Sequence, residues 1–265
     1  MNTNTLADEI SYTAVQFAVE IVRNQNQLRE VYRLRHQVYC VEHGFEAGTD
    51  GEEIDEFDSR SRHVLLRRVD DGEVVGTVRL IAPDPIDLGN SFPTQRLCQP
   101  ALLQHLPLDT TGEISRFAIS KQRRGACVAG MLTRLALMRG IAQLSSEMGL
   151  THWLAVMERG LLRLQQRNAI HFDPIGPLVS YHGLRQPAMG EIVRVLERIR
   201  REEFPTWNFL TDGGRWFGRQ DTVSFPRFDI RPPDHSGGPG IVPHLANPHW
   251  ADLPKGPGPW QQSAA

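Results

Sequence analysis

Apolar and polar positions alternate along Gln16–Val22 (QFAVEIV), which predicts a first strand. Directly after it, Leu28, Val31, Leu34 and Val38 recur at helical spacing through NQNQLREVYRLRHQVYCVEHG, so a helix follows. His63–Val69 and Glu73–Pro83 are two strand-like runs on either side of Asp70-Asp71-Gly72, and the Asp-Gly pair supplies the turn of an antiparallel hairpin. Pro93 to Pro107 reads as a loop or short helix. The stretch GEISRFAIS (Gly112–Ser120) then predicts a strand, about Gly125 to Met148 a long apolar helix, and THWLAVM (Thr151–Met157) another strand. Strand, turn, helix and strand in that order favour a parallel pair with a right-handed crossover. Gly160–Asn168 predicts a further helix, IHFDPIG to GLRQPAMGEI holds short strands, and Ile192, Val195, Leu196 and Ile199 form the apolar stripe of a last helix. Beyond about Thr211 proline and glycine become dense and periodicity disappears. The expected organisation is an α/β domain over 1–210 and an extension over 211–265 that buries little.

Composition adds bounds rather than chemistry. With 265 residues, 40% of them hydrophobic, the chain can bury a sizeable core. A formal net charge of -2 provides no general field for nucleic acid, so any anionic partner must meet a local patch. MNTNTLADEI lacks the basic and apolar regions of a secretory leader, and no run approaches the roughly 18 apolar residues of a membrane span. The reading is a cytoplasmic protein without a membrane span. Cys40, Cys98 and Cys127 lack metal-ligand spacing, and His235, His244 and His249 have no acidic ligands clustered near them, so no metal site is expected.

The strand GEISRFAIS carries Glu113 and Arg116, charges that a core strand could bury only if each found a partner. Residues i and i+3 of a regular strand face opposite sides, so both reach one pocket only if the strand is bulged. The element order, with its basic turn before the long helix, resembles an N-acetyltransferase-like (GNAT-like) α/β fold: a mixed sheet flanked by helices whose central strands splay apart around a thioester's pantetheine arm. Gln122, Arg123, Arg124, Gly125 and Ala126 resemble that fold's phosphate-binding turn, where backbone N–H groups and the helix dipole favour an anion. Cys127 stands where glycine or alanine is usual. Solvated surface is the other reading of Arg123 and Arg124.

A second cluster lies upstream: Arg35, Tyr39 and Phe45 in LRHQVYCVEHGFE, Glu53, Asp55 and Asp58 in EEIDEFD, and Arg79 in GTVRL. Together with Glu113 and Arg116, these nine positions resemble in order and spacing the signature of the acyl-homoserine-lactone synthase superfamily. The fuller phrases EFDSRSRHVLL, THWLAVMERGLLRLQQR and IGPLVSYHGLRQP are similar to the N-acyl amino acid synthases, including the PEP-CTERM/exosortase-associated acyltransferases. The signalling enzymes carry Phe and Trp where this chain has Tyr39 and Phe45. The resemblance implies an enzyme that acylates the α-amine of an amino acid from a fatty acyl carrier protein thioester. Acyl carrier protein or coenzyme A would be the co-substrate carrier, with no tightly bound cofactor and no metal. The alternatives are a lactone synthase using S-adenosylmethionine and a silent module that binds lipid or carrier protein.

Amide formation from a thioester needs a neutral amine, an electrophilic carbonyl and a group that receives the released proton. Glu113 is the candidate general base, with a structural partnership to Arg116 as the alternative; Arg116 and Arg79 complete the catalytic group. Arg35, Tyr39, Phe45, Glu53, Asp55 and Asp58 are candidates for substrate binding. Arginines paired with these carboxylates could equally be architectural. Trp153 and Met157 could line an acyl tunnel or belong to the core, and the Val128–Leu144 run reads as core.

Overall fold

The computed structural model describes residues 16–45, 50–121 and 132–217. Strands β1 (Phe17–Ile21), β2 (Ser61–Arg68) and β3 (Val74–Ile81) pair antiparallel, and β4 (Thr111–Ile119) continues antiparallel to β3. β5 (His152–Glu158) runs parallel to β4, and β8 (Leu184–Glu191) returns antiparallel to β5. The short β6 (Asp173–Pro174) and β7 (Val179–Ser180) both pair with β8, giving the order β1-β2-β3-β4-β5-β8-β6. The expected hairpin and the expected parallel pair are both present.

Helix α1 (Gln25–Arg35) starts at Asn24, whose side chain accepts the Gln27 N–H at 3.0 Å, an N-cap that satisfies one orphan donor. It runs on into a π-helical segment, His36–Glu42. α2 (Pro93–Leu97) is the short helix of the proline-bounded connection, and α3 (Leu132–Glu147) joins β4 to β5. α4 (Arg159–Gln166), α5 (Ile192–Glu202) and α6 (Phe204–Thr211) follow. α3 lies on one face of the sheet, burying Leu135, Leu137, Ile141 and Leu144 against Val64, Leu66, Val78 and Leu80. Each such side chain contributes about 1.5–3 kcal/mol when fully withdrawn from water. Gly140 permits the approach, since a Cβ there would lie inside the Val64 side chain. The opposite face holds α1, packed through Val31 and Leu34 on Leu65 and Val74, and a second cluster of Phe57, Ile81, Phe92 and Leu154. Covered on both faces, β3 is buried along its whole length.

α6 was not legible as a helix, because Pro205 and the aromatic residues around it resemble the tail that follows. Proline is tolerated in a first turn, where its missing N–H would be unpaired anyway. Packing reaches past it: Arg139 lies between the rings of Phe209 and Trp216, at 5.1 and 5.0 Å, and donates to Asp212 at 2.7 Å. Among the described residues no helix is long and apolar enough to cross a membrane, and no group of His, Cys, Asp or Glu could hold a metal ion. Cys127, His235, His244 and His249 lie outside the described residues.

Candidate active site

Two irregularities of β4 make the site. Its pairing with β5 runs from Thr111 opposite His152 to Ile114 opposite Ala155 and ends there, so the two parallel strands part beyond it. On its other edge Arg79 faces Ser115 while Thr77 faces Ala118, leaving Val78 opposite two residues, Arg116 and Phe117. That is the bulge that strand parity required. Arg116 adopts φ 48°, a left-handed conformation that few non-glycine residues hold and that a bulge residue supplies. The bulge turns Arg116 to the face that Glu113 and Ser115 share.

A cavity opens where the strands part. On one side of the sheet it is bounded by Tyr39, Glu113, Ser115 and Arg116; on the other, apolar side by Met138, Leu161 and Phe172. Met157 lines it as well, whereas Trp153 is core: its indole N–H donates to Ser145 Oγ at 2.8 Å and its ring stacks on Phe172.

Behind the polar side stand three arginines and three carboxylates. Arg35, wholly buried, forms a bidentate pair with Asp58 at 2.6 and 3.0 Å and also donates to Glu53. Arg79 forms a second fork onto Asp55, reaches Asp58 at 2.9 Å and donates through Nε to Ser115 Oγ at 2.9 Å. Arg116 bridges Glu53 and Asp55, each at 2.9 Å. Burial alone would raise all three carboxyl groups, but the arginines outweigh it and hold Glu53, Asp55 and Asp58 below the usual carboxylate range. Fork geometry makes this affordable, because each guanidinium meets carboxylate oxygens of two different acids.

Glu113 is different. Its carboxylate accepts the Thr94 N–H of α2 at 3.0 Å, flanked by the apolar cluster that contains Ile81 and Leu154 on the neighbouring strands. Burial pushes it up to about 7, with the Thr94 hydrogen bond and the more distant Arg79 only partly opposing. An acid of that affinity is half ionised at neutral pH, which suits it to accept a proton from an amine.

The remaining sequence candidates are dispersed around the cavity and behind it. The Arg116 guanidinium stands over the Tyr39 ring at 5.5 Å. Phe45 stacks on His43 at 5.0 Å and meets His182 at 5.8 Å. Arg35 and Asp58 lie at the bottom of the ion network, one layer behind the cavity. Gln122, Arg123, Arg124, Gly125 and Ala126 lie outside the described residues. Just before them, the Glu42 carboxylate accepts from Ser120 Oγ at 2.6 Å and from the Lys121 N–H at 3.0 Å.

Residues 34–134 match the acetyltransferase (GNAT) domain family. Over that stretch the chain is similar to the GNAT acyltransferases. Solved structures agree: the acyl-homoserine lactone synthase LasI is 26% identical with a TM-score of 0.51, covering 65% of this chain and 88% of that one. A CoA-dependent acyl-homoserine lactone synthase, BjaI, solved with SAM and isopentyl-CoA, is 24% identical with a TM-score of 0.53 over 74% of this chain and 88% of its own. FeeM, an N-acyl amino acid synthase from uncultured soil microbes, shares the fold at 14% identity, with a TM-score of 0.54 over 69% of this chain and 94% of that one.

Three features of the acyltransferase escaped sequence reasoning. The Thr94 backbone donor has no side-chain signature. His63, opposite Arg79, is buried 3.7 Å from Asp58 without a hydrogen-bond partner on either ring nitrogen, and burial pushes it down to about 3, so it is neutral. Arg159, Arg163 and Arg167 form an exposed stripe at i, i+4 and i+8 along α4, beside the cavity residue Leu161, and no acidic partner for them occurs among the described residues. Only this last feature was visible in advance, as basic residues at helical spacing.

Proposed function

We propose that the protein is an N-acyltransferase that moves a long-chain fatty acyl group from an acyl carrier protein thioester to the α-amine of an amino acid. The observation that carries this reading is Glu113, a buried carboxyl poised near neutrality at the point where β4 and β5 part. A thioester carbonyl at that fork would have an apolar channel for its chain on the Met138, Leu161 and Phe172 side. The amine would approach from the polar side, where Glu113 receives its proton as the N–C bond forms. Strand edges released beyond Ile114 offer backbone N–H groups to the pantetheine arm and to the developing oxyanion.

The stripe Arg159, Arg163 and Arg167 supports a carrier protein as donor, because acyl carrier proteins are strongly acidic and an unpaired basic patch beside the cleft speeds their encounter. Arg123 and Arg124 belong to the same proposal as the docking point for the phosphopantetheine. Tyr39 and Phe45, where lactone synthases carry Phe and Trp, support a free amino acid over S-adenosylmethionine. The second reading, a homoserine-lactone-type synthase, is favoured by the higher identity to LasI. Incubation with mixed amino acids, S-adenosylmethionine and acyl carrier protein or coenzyme A thioesters, followed by mass spectrometry, separates the two. An N-acyl amino acid is expected; a lactone formed only with S-adenosylmethionine would overturn the first reading.

A further inference from the structure

We infer that Thr94 is a positioning residue for Glu113. Its hydroxyl donates to the ionised carboxylate and, with the N–H of the same residue, holds Oε2, so that Oε1 is the oxygen left to take a proton. The inference rests on the acyltransferase reading only for where that proton comes from.

Thr94 is wholly buried, and its Oγ1 is sealed from solvent without a hydrogen-bond partner among the described residues. A hydroxyl so placed is costly to leave unsatisfied, and valine has the same shape without that cost. Nor does the hydroxyl secure α2. There the Phe92 N–H donates to Gln95 Oε1 at 2.8 Å, the Gln95 amide donates to the Leu88 carbonyl at 2.9 Å, and the Cys98 N–H donates to the Thr94 carbonyl at 3.0 Å. The Ser91 carbonyl, three residues back, accepts from the Arg60 guanidinium instead.

What the hydroxyl can reach is Glu113. The Thr94 N–H holds Glu113 Oε2 at 3.0 Å, and an acceptor on a threonine's N–H lies within a side-chain rotation of its hydroxyl. Burial raises Glu113, and after the Thr94 N–H the Thr94 side chain is the next influence that opposes it. Oε1 carries no hydrogen bond among the described residues, while Glu113 lines the cavity. Donation to a carboxylate is charge-assisted and roughly twice as strong as donation to a neutral acid, so the contact favours the ionised base. The other groups that act on Glu113 are Arg79 of β3, which lowers it, Asp55 before β2, which raises it, and the thiol of Cys98 at the end of α2.

The test follows Glu113 itself. Infrared difference spectra of the whole protein in heavy water, taken against Glu113→Gln, give the titration of its carboxyl band. Thr94→Val should move that titration up by about one to two units, because a donor to the charged form is lost, and Thr94→Ser should leave it near the wild type. In parallel, the acid limb of kcat/KM, measured with whichever acceptor yields product, should move with it, so that Thr94→Val loses about tenfold near pH 7 and recovers in alkali. An unmoved titration in Thr94→Val would overturn the inference, whatever happens to the rate. So would a Thr94→Ser protein that behaves like Thr94→Val, since the methyl would then be the feature that matters. A titration that moves while the rate limb stays would support the role of Thr94 and remove Glu113 as the base, which sets failure of the acyltransferase reading apart. Far-ultraviolet circular dichroism reports whether Thr94→Val folds; if it does not, Thr94→Ala is read in the same two assays.

Discussion

Replacing Glu113 by glutamine should make the protein slower and, above neutral pH, more stable. The side chain keeps its shape and can still accept the Thr94 N–H, so the difference between the two proteins lies in ionisation. In the folded chain the carboxyl is raised from 4.5 to about 7, chiefly by burial. A raised acid is favoured by the fold while protonated: stability is fully present below the unfolded value and is lost as pH rises through the folded one. The displacement corresponds to about 3 kcal/mol. Glu113→Gln is spared that loss, so its advantage should grow from the small constant difference at pH 4 to about 3 kcal/mol more by pH 8. Urea unfolding at several pH values measures the difference directly, and the ion network, common to both proteins, cancels from it. Over the same range kcat/KM of the wild type should rise with a midpoint near 7, while the variant should be slower by about 10²–10⁴-fold with that limb missing. A stability difference that stays constant from pH 4 to 8 would refute the reasoning, because Glu113 would then be ionised in both states or in neither.

Other outcomes follow from the same geometry. Asp58→Ala leaves Arg35 and Arg79 without their shared partner and should cost about 3–5 kcal/mol in unfolding experiments. Since Asp58 is held low in the fold, that deficit should be full above about pH 4 and shrink in acid, as the wild type loses its own carboxylate contribution. Exchanging Arg159, Arg163 and Arg167 for glutamate should raise KM for an acyl carrier thioester several-fold, most at low salt, and leave a small acyl pantetheine nearly unaffected; the Arg123-Arg124 pair invites the same measurement. Gly140→Ala forces a methyl into Val64 and should lower stability by about 1–3 kcal/mol, read as a lower urea midpoint with unchanged slope.

Much of this was legible from the chain alone, for reasons that differ by element. Strands announced themselves by alternation and the hairpin by its Asp-Gly turn, both local signals that the tertiary structure reinforces. The charged cluster was legible through its resemblance to a family signature, and pairing of Arg35, Arg79 and Arg116 with Glu53, Asp55 and Asp58 was one of the two readings it left open. Parity even required the irregularity in β4, since Glu113 and Arg116 are three residues apart. The π-helical segment at His36–Glu42 left no mark, because its altered hydrogen bonding keeps nearly the same apolar spacing as the α-helix before it. Nor could the Thr94 backbone donor be foreseen, as a peptide N–H belongs to every residue and only the path of the chain brings one to Glu113.

The two residues of β4 that face Val78 alone make the site separable from its scaffold by one codon. An in-frame deletion of Arg116 would restore a regular ladder between β3 and β4, keep Phe117 available to the apolar side, and leave Glu53 and Asp55 short of a cation. Sheet and core would survive the event while the cleft lost its chemistry. The length of the segment between Glu113 and Ser120, as much as the identity of its residues, thus decides which side chains face the cleft.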